Sequence, residues 1–147
     1  MLEEIINSFK ETSSKKITLV SDNDKNKIDI QRSAEMIYGL RNFIGNAIKF
    51  SKSKVNIFLT SNDKEIKIIV NDDGPGFPKD IIEKLGEPYI KSRSKLYKEN
   101  AGLGLGTFLG KTLLERKSAL ISFENNSSLN GARVEIKWRI NDLSISI

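Results

Sequence analysis

Two asparagines and a lysine stand at helical spacing in the first half of the chain. Asn42, Asn46 and Lys49 are four and three residues apart, so on a helix they lie along one face. Amide oxygens suit Mg²⁺, which takes few protein ligands and bridges to phosphates, and an ammonium group suits a phosphate. Taken alone, the pattern N-x-x-x-N is more often a polar helix face in solvent.

A second pattern, DDGPG, directly follows a run of alternating apolar residues. Asp72 would stand at the end of a strand, and Gly74 and Gly76 would let the backbone turn and approach a ligand closely. A carboxylate in this place can accept hydrogen bonds from a planar ligand that carries an amine. An ordinary Gly/Pro turn would give the same pattern.

A third pattern, GLGLGT, opens a helix predicted from Leu105 to Arg116. Backbone N–H groups and the positive end of the helix dipole attract an anion at such a place. The glycines do not follow the strand of a βαβ unit, and no G-x-x-x-x-G-K-[ST] is present. A Rossmann site and a P-loop are therefore excluded, while a flexible turn before a helix stays open.

Composition removes several classes of chemistry. The 147 residues suit one domain and contain no cysteine and no histidine. Disulfides, thiolate metal sites, imidazole bases and phosphohistidine on this chain are excluded. The net charge is +5, but basic and acidic residues are interleaved. This favours an anionic small ligand such as a nucleotide, and no nucleic-acid partner is expected.

Hydrophobic periodicity predicts the elements that position the three patterns. Helices are predicted over 2–11, from the N-cap Ser33 to Phe50, near 79–85 and over 105–116. Strands are predicted over 17–20, 28–30, 54–60, 65–70, 119–123 and 133–140, with hairpins around SNDK and Asn130–Gly131. Hairpins and segregated helices predict an α+β, two-layer sandwich, in which a mixed, mostly antiparallel sheet is covered on one face by helices.

In this order, the three patterns resemble the GHKL (Bergerat) nucleotide-binding fold, and within it the catalytic ATP-binding domain of sensor histidine kinases. The resemblance runs from about Ser33 to Trp138. The stretches SAEMIYGLRNFIGNAIKFS, LGEPYIKSRS and GLGLGTFLGKTLLERKSA are similar to the redox-responsive global sensor kinases of proteobacteria. The resemblance implies a flexible ATP lid, and we expect Gly86–Ala101 to be mobile without nucleotide.

The resemblance also implies ATP and Mg²⁺ as cofactors and a role for each motif residue. Asn46 would be the side-chain ligand of Mg²⁺, with Asn42 supporting the metal and the phosphates. Phe50 would lie against the adenine, and Asp72 would accept a hydrogen bond from its amino group. The remaining expected binding residues are Lys49, Gly74, Gly76, Lys91, Arg93, Gly102, Leu103, Gly104, Leu105, Gly106 and Thr107.

Asn42, Lys91 and Arg93 are the expected catalytic group, with Lys91 and Arg93 reaching the γ-phosphate from the lid. ATPases of the gyrase and chaperone type in this family carry Glu in place of Asn42, as a base for water. Asparagine cannot accept a proton at neutral pH, so slow ATP hydrolysis is expected. Transfer to a neutral imidazole needs no strong base, because positioning and charge neutralisation carry it.

The lack of histidine implies that the phosphoacceptor lies outside this chain. We expect residues 1–15 to be the trailing end of the connection from a dimerisation domain that bears the histidine, and residues 16–147 to be the catalytic ATP-binding domain. The phosphoryl group would pass on to a response regulator. The chain is expected to be a monomer and the cytoplasmic part of a dimeric bacterial kinase anchored in the inner membrane.

Three other functions remain open from the sequence. An anti-sigma-type serine kinase shares the fold but phosphorylates a hydroxyl, which benefits from a base that Asn42 cannot supply. A non-catalytic nucleotide-sensing module would keep the motifs without the transfer. A nucleic-acid binder would show a steep salt dependence toward DNA.

Overall fold

The structure is a computed structural model that describes residues 2–21, 33–77, 82, 103–125 and 128–140. Its elements are α1 (Leu2–Lys10), β1 (Lys16–Ser21), α2 (Ala34–Phe50), β2 (Lys54–Ser61), β3 (Glu65–Asp72), α3 (Leu103–Glu115), β4 (Leu120–Glu124) and β5 (Arg133–Arg139). The strand predicted over 28–30 and the lid over 86–101, with Lys91 and Arg93, lie outside the described residues. So do Gly102 and, apart from Ile82, the helix predicted near 79–85.

The five strands form one sheet in the order β1-β2-β3-β5-β4. β1 pairs with β2 in parallel, and the other three pairs are antiparallel. Alternate residues of β3 and β5 turn to the helices and are buried, as with Ile68 and Ile136, because successive side chains of a strand point to opposite faces. The predicted mixed, mostly antiparallel sheet with helices on one face is confirmed.

Helix α2 carries the N-x-x-x-N pattern and begins as predicted, because the side chain of Ser33 accepts a hydrogen bond from the backbone N–H of Met36 at 3.2 Å. It packs closely against α3 through two glycines. A Cβ atom on Gly39 would stand 2.5 Å from Cγ of Leu114, and one on Gly110 would stand 3.1 Å from Cβ of Asn42. The short distance between the helices brings the start of α3 to the polar face of α2.

Helix α3 begins at Leu103 rather than at the predicted Leu105. Leu103, Gly104, Leu105 and Gly106 therefore lie in the first helical turn instead of leading into it. Glycine can adopt helical dihedrals at a modest cost, and the N–H groups of a first turn need no partner within the helix. The N–H groups of this turn remain able to bind an anion.

Helix α1 covers part of the same core, to which it contributes Leu2, Ile5 and Ile6. Its Phe9 ring lies against Gly45 of α2, where a Cβ atom would be 3.4 Å from Cζ of the ring. The boundary expected between residues 15 and 16 stays a prediction. Within the described ranges, no helix has the length and apolar character needed to cross a membrane.

Candidate functional site

One cavity lies where the ends of the central strands meet α2 and the first turns of α3. It has a volume of about 520 Å³, including its opening to solvent. Five of the predicted site residues line it: Asn46, Phe50, Asp72, Gly76 and Thr107. The other lining residues, which sequence reasoning did not single out, are Phe43, Ala47, Val70, Phe77, Phe123, Ala132 and Val134. The amide of Asn46 on α2, the carboxylate of Asp72 on β3 and Thr107 of α3 thus line one hollow.

Asp72 ends β3 and is buried, with 4% of its surface exposed. Its Oδ1 accepts hydrogen bonds from the backbone N–H groups of Gly74 at 2.9 Å and Ala132 at 3.2 Å. Burial raises the pKa of this carboxyl group, and the two N–H groups offset only part of the effect. The side chain is thereby held in one position at the cavity wall.

Two glycines allow the segments around Asp72 to come together. A Cβ atom on Gly74 would lie 2.3 Å from the carbonyl oxygen of Phe50, and one on Gly131 would lie 2.3 Å from the carbonyl oxygen of Asp72. Real Cβ atoms do not approach backbone this closely, so both positions require glycine. Gly74 is not among the lining residues, and its predicted part in binding stays a prediction. The sequence indicated Gly131 only as a hairpin turn, since its partner lies far away along the chain.

An aromatic wall closes the cavity on the side of β4. Phe77 meets Phe123 edge-on with ring centroids 5.8 Å apart, and Phe43 lies 5.9 Å from Phe123. The side chain of Asn125 fixes the backbone of Phe77, since its Oδ1 accepts from the Phe77 N–H at 2.6 Å and its Nδ2 donates to the Phe77 carbonyl at 2.7 Å. Strand alternation could have indicated Phe123, but nothing local marks Asn125.

Asn46 joins α2 to the start of α3. Its Nδ2 donates a hydrogen bond of 3.4 Å to Oγ1 of Thr107, which is buried. The ring of Phe50 lines the same cavity, and Nζ of Lys49 lies 5.8 Å from its centroid. The structure therefore brings the first and third sequence patterns into direct contact.

Asn42 and Lys49 border a different hollow, an open groove between α1 and α2. Its lining residues are Phe9, Tyr38, Arg41, Asn42, Gly45, Asn46 and Lys49. Nδ2 of Asn42 donates to the carbonyl oxygen of Tyr38 at 2.8 Å. Only Asn46 of the predicted trio borders both hollows, and the contacts predicted for the other two with a nucleotide stay predictions.

Comparison with known proteins agrees with this geometry. The sequence profile of the family described as "Histidine kinase-, DNA gyrase B-, and HSP90-like ATPase" matches residues 31–142. The chain belongs to this ATPase family. The matched residues include Asn46, Asp72 and Thr107, and the predicted resemblance to the GHKL fold is confirmed.

Relatives within the family are sensor kinases. The chain is 36% identical to sensor histidine kinase RegB of Cereibacter sphaeroides, over 83% of the chain and 30% of RegB. It is 30% identical to a putative sensor histidine kinase NtrY-like of Rickettsia prowazekii, over 64% of the chain and 14% of that protein. The chain thus spans less than a third of these curated relatives.

Solved structures share the fold. The catalytic domain of histidine kinase ThkA superposes with a TM-score of 0.75 at 20% identity, covering 94% of this chain and 90% of that one. The mycobacterial sensor histidine kinase MprB gives a TM-score of 0.71 at 19% identity, covering 94% and 95%. The α+β architecture is therefore that of histidine kinase catalytic domains.

As a member of this ATPase family, the chain is an ATP-binding domain, and its residues fit a cation that arrives with the nucleotide. Within the described ranges, no group of three acidic, histidine or cysteine side chains could hold a metal by itself. The amide of Asn46 offers a single neutral oxygen beside the cavity. Mg²⁺ is suited to such a site, since it takes most of its ligands from phosphates and water.

Proposed function

We propose that this chain is the catalytic ATP-binding part of a bacterial sensor histidine kinase. It would transfer the γ-phosphoryl group of Mg-ATP to a histidine on a dimerisation domain of the same kinase, for relay to a response regulator. The observation that carries the proposal is the convergence of the Asp72 carboxylate, the Phe50 ring and the Asn46 amide on one cavity. The family and its sensor-kinase relatives support it.

Asp72 would recognise the base. Its carboxylate can only accept hydrogen bonds while it is ionised, so it pairs with the 6-amino group of adenine. Guanine carries a carbonyl in that place, which would leave a buried charge facing a second acceptor. Phe50, Phe77 and Phe123 would enclose the planar ring of either purine, and the Asp72 carboxylate would select ATP over GTP.

The triphosphate would lie toward Asn46 and the first turn of α3. Asn46 would give one oxygen to Mg²⁺, and the N–H groups of residues 103–106 would bind phosphate oxygens. Asn42 and Lys49, on the adjoining groove, would support the metal and a phosphate. Lys91 and Arg93 keep their predicted role at the γ-phosphate.

Within this chain, catalysis would consist of positioning and charge neutralisation. Asn42 provides no base for water, so the bound ATP is kept from rapid hydrolysis. The chain has no histidine, so the acceptor must come from outside these 147 residues. Because ATP is a cytoplasmic substrate, we place the domain on the cytoplasmic side of the inner membrane, with any anchor in the remainder of a longer kinase.

Phosphotransfer to a separately purified, histidine-bearing dimerisation domain of the same kinase tests the proposal. With radiolabelled Mg-ATP, acid-labile phosphate should appear on that domain and never on this chain alone. Asn46→Ala should lower the transfer about tenfold and raise the Mg²⁺ concentration that the transfer requires, since one such hydrogen-bonded or liganding group contributes roughly 1.5 kcal/mol.

Asn62→Ala, in the turn between β2 and β3, serves as the matched control and should leave the transfer unchanged. Acid-stable phosphate on serine would contradict the proposal in favour of a serine kinase. Rapid release of inorganic phosphate without transfer would contradict it in favour of a hydrolase.

A further inference from the structure

The C-terminal end of α2 carries Phe50, one of the residues that line the cavity. The last carbonyl groups of an α-helix have no partner within the helix. Here the ammonium group of Lys15, which precedes β1, donates hydrogen bonds to the carbonyl oxygens of Ile48, Ser51 at 2.8 Å and Lys49 at 3.4 Å. A positive charge at this end is also favoured by the helix dipole.

The three carbonyl groups bracket Phe50, whose ring lines the cavity. Lys16, which follows Lys15, donates its backbone N–H to the carbonyl of Ser53 at 2.8 Å. Lys15 and Lys16, the first residue of β1, therefore form hydrogen bonds with the chain on both sides of Phe50. These hydrogen bonds are made by residues that belong to none of the three sequence patterns.

A carboxylate holds the same segment from the other direction. Asp73 accepts hydrogen bonds from the backbone N–H of Lys52 at 2.7 Å, the N–H of Ser53 at 3.1 Å and Oγ of Ser53 at 2.9 Å. Asp73 directly follows Asp72 at the end of β3. Lys15 and Asp73 together thus fix the distance between the end of α2 and the carboxylate of the cavity.

We propose that Lys15 is a positioning residue for the nucleotide cavity, which holds the end of α2 so that the Phe50 ring and the Asp72 carboxylate enclose the same base. The inference rests on the proposed function, since adenine is the base concerned. It assigns a role at the nucleotide site to the segment that precedes the sheet. Whatever moves this segment would alter how well ATP is held.

The charge of Lys15 gives a second means of detecting its action. Burial raises the pKa of Asp72, Asp73 raises it further, and Lys15 acts in the opposite direction. If the ammonium group is removed, Asp72 should take up a proton at a higher pH, and the protonated acid accepts hydrogen bonds more weakly.

The test compares Lys15→Met with Lys15→Arg, which keeps a positive charge and several donors, and with Lys16→Met as the matched control. Lys16 is the exposed neighbour of Lys15, and its side chain is not among the groups that form the hydrogen bonds described above. Mg-ATP is titrated by calorimetry between pH 5 and pH 8. Lys15→Met should bind about tenfold more weakly at pH 7, the loss of one charge-assisted hydrogen bond. Its binding should also fail at a higher pH than that of the wild type on acidification. Lys15→Arg should restore most of the affinity and most of the pH profile. Lys16→Met should match the wild type in both measurements.

Amide hydrogen exchange in the nucleotide-free protein provides a second measurement. Lys15→Met should exchange at Ser51 to Ser53 at least tenfold faster than the wild type. Unchanged exchange, or wild-type affinity and pH profile, would overturn the inference. The inference would also be overturned if Lys15→Met bound Mg-ATP more weakly with an unshifted pH profile and Lys15→Arg did not restore the affinity. If the wild type itself fails to bind ATP, the proposed function falls, and the exchange experiment still decides whether Lys15 holds the end of α2.

Discussion

The two ends of the cavity are built in different ways. The base end comprises Asp72 with Gly74, Gly131 and Ala132, and its carboxylate and backbone are joined by hydrogen bonds of 2.9 to 3.2 Å. At the phosphate end, formed by Asn46 and Thr107, the two side chains share one hydrogen bond of 3.4 Å. The base end is made by strand ends and tight turns, and the phosphate end by two helices packed side by side.

This difference suits what each end would bind under the proposed function. A planar base is recognised by one polar group that is held rigidly, so its supports are satisfied within the protein. A triphosphate with its cation needs amide oxygens and N–H groups that the protein leaves available to the ligand. We therefore expect substitution of the glycines that support the base end to lower stability, and loss of the Asp72 charge to change base recognition. Substitutions at the phosphate end should change binding and transfer with little effect on stability.

The largest effect is expected from Asp72→Asn. The amide keeps an oxygen that can accept from the N–H groups of Gly74 and Ala132, but it loses the charge that faces the base. A hydrogen bond to a charged group contributes about 1.5–3 kcal/mol, so the dissociation constant of ATP should rise roughly 10- to 100-fold. Calorimetric titration with ATP and GTP measures this change.

The same variant should not lose stability at pH 7. Burial raises the pKa of Asp72 because it disfavours the charged form, and the substitution removes that buried charge. Thermal unfolding checks this point. A much lower unfolding temperature would mean that the charge of Asp72 is needed for stability. Wild-type affinity for ATP would mean that this charge does not recognise the base.

A pair of glycine substitutions tests whether tight packing is special to the base end. In Gly131→Ala the new Cβ atom would meet backbone and carboxylate oxygens of Asp72 at 2.3 and 2.5 Å. Such overpacking should lower the free energy of unfolding by about 1–3 kcal/mol. In Gly45→Ala, on α2, the Cβ atom would make an ordinary contact of 3.4 Å with Phe9, and alanine favours a helix by about 1 kcal/mol. Urea unfolding measures the free energy of unfolding of both variants. An equal loss in the two would mean that the tight packing is not special to the base end.

Acid should act mainly on the base end and on the adjoining Asp73, since Asn46 and Thr107 at the phosphate end carry no carboxylate. Partial burial opposes ionisation of Asp73, but the hydrogen bonds from Ser53, Lys54 and Lys52 outweigh it and lower the pKa from 3.8 to about 2. A lowered pKa in the folded state stabilises the fold above the unfolded value, and this contribution is lost as the pH falls from about 4 through 2. The pKa of Asp72 is raised in the folded state, so ionisation of Asp72 has the opposite effect and lowers stability as the pH rises.

Asp73→Asn should therefore be less stable than the wild type at pH 7, and the difference should shrink toward pH 2. Urea unfolding at a series of pH values measures it, with Glu11→Gln as a control that removes an exposed carboxylate. A constant difference across this range would mean that the charge of Asp73 does not hold the end of α2.

Much of the fold could be predicted because its signals are local. The alternation of Ile66, Ile68 and Val70 placed β3, and Ser33 marked the start of α2, since each depends on neighbours within a few residues. The order of the three patterns also predicted that Asn46 and Asp72 belong to one site. The start of α3 was misplaced by two residues, because glycine patterns do not separate a turn from a first helical turn.

The supports of the site could not be predicted, because they depend on pairing between distant strands. Ala132 reaches Asp72 across 60 residues and Asn125 reaches Phe77 across 48, and no local pattern sets such partners. The amino-acid sequence by itself determined the elements, their buried faces and the residue types that could bind a nucleotide. Only the tertiary structure decided that Asn46 alone of its helical stripe lines the cavity. It also decided that glycine must stand at position 131 and that Lys15 holds the end of α2, because strand register and helix packing set the distances between residues far apart in the chain.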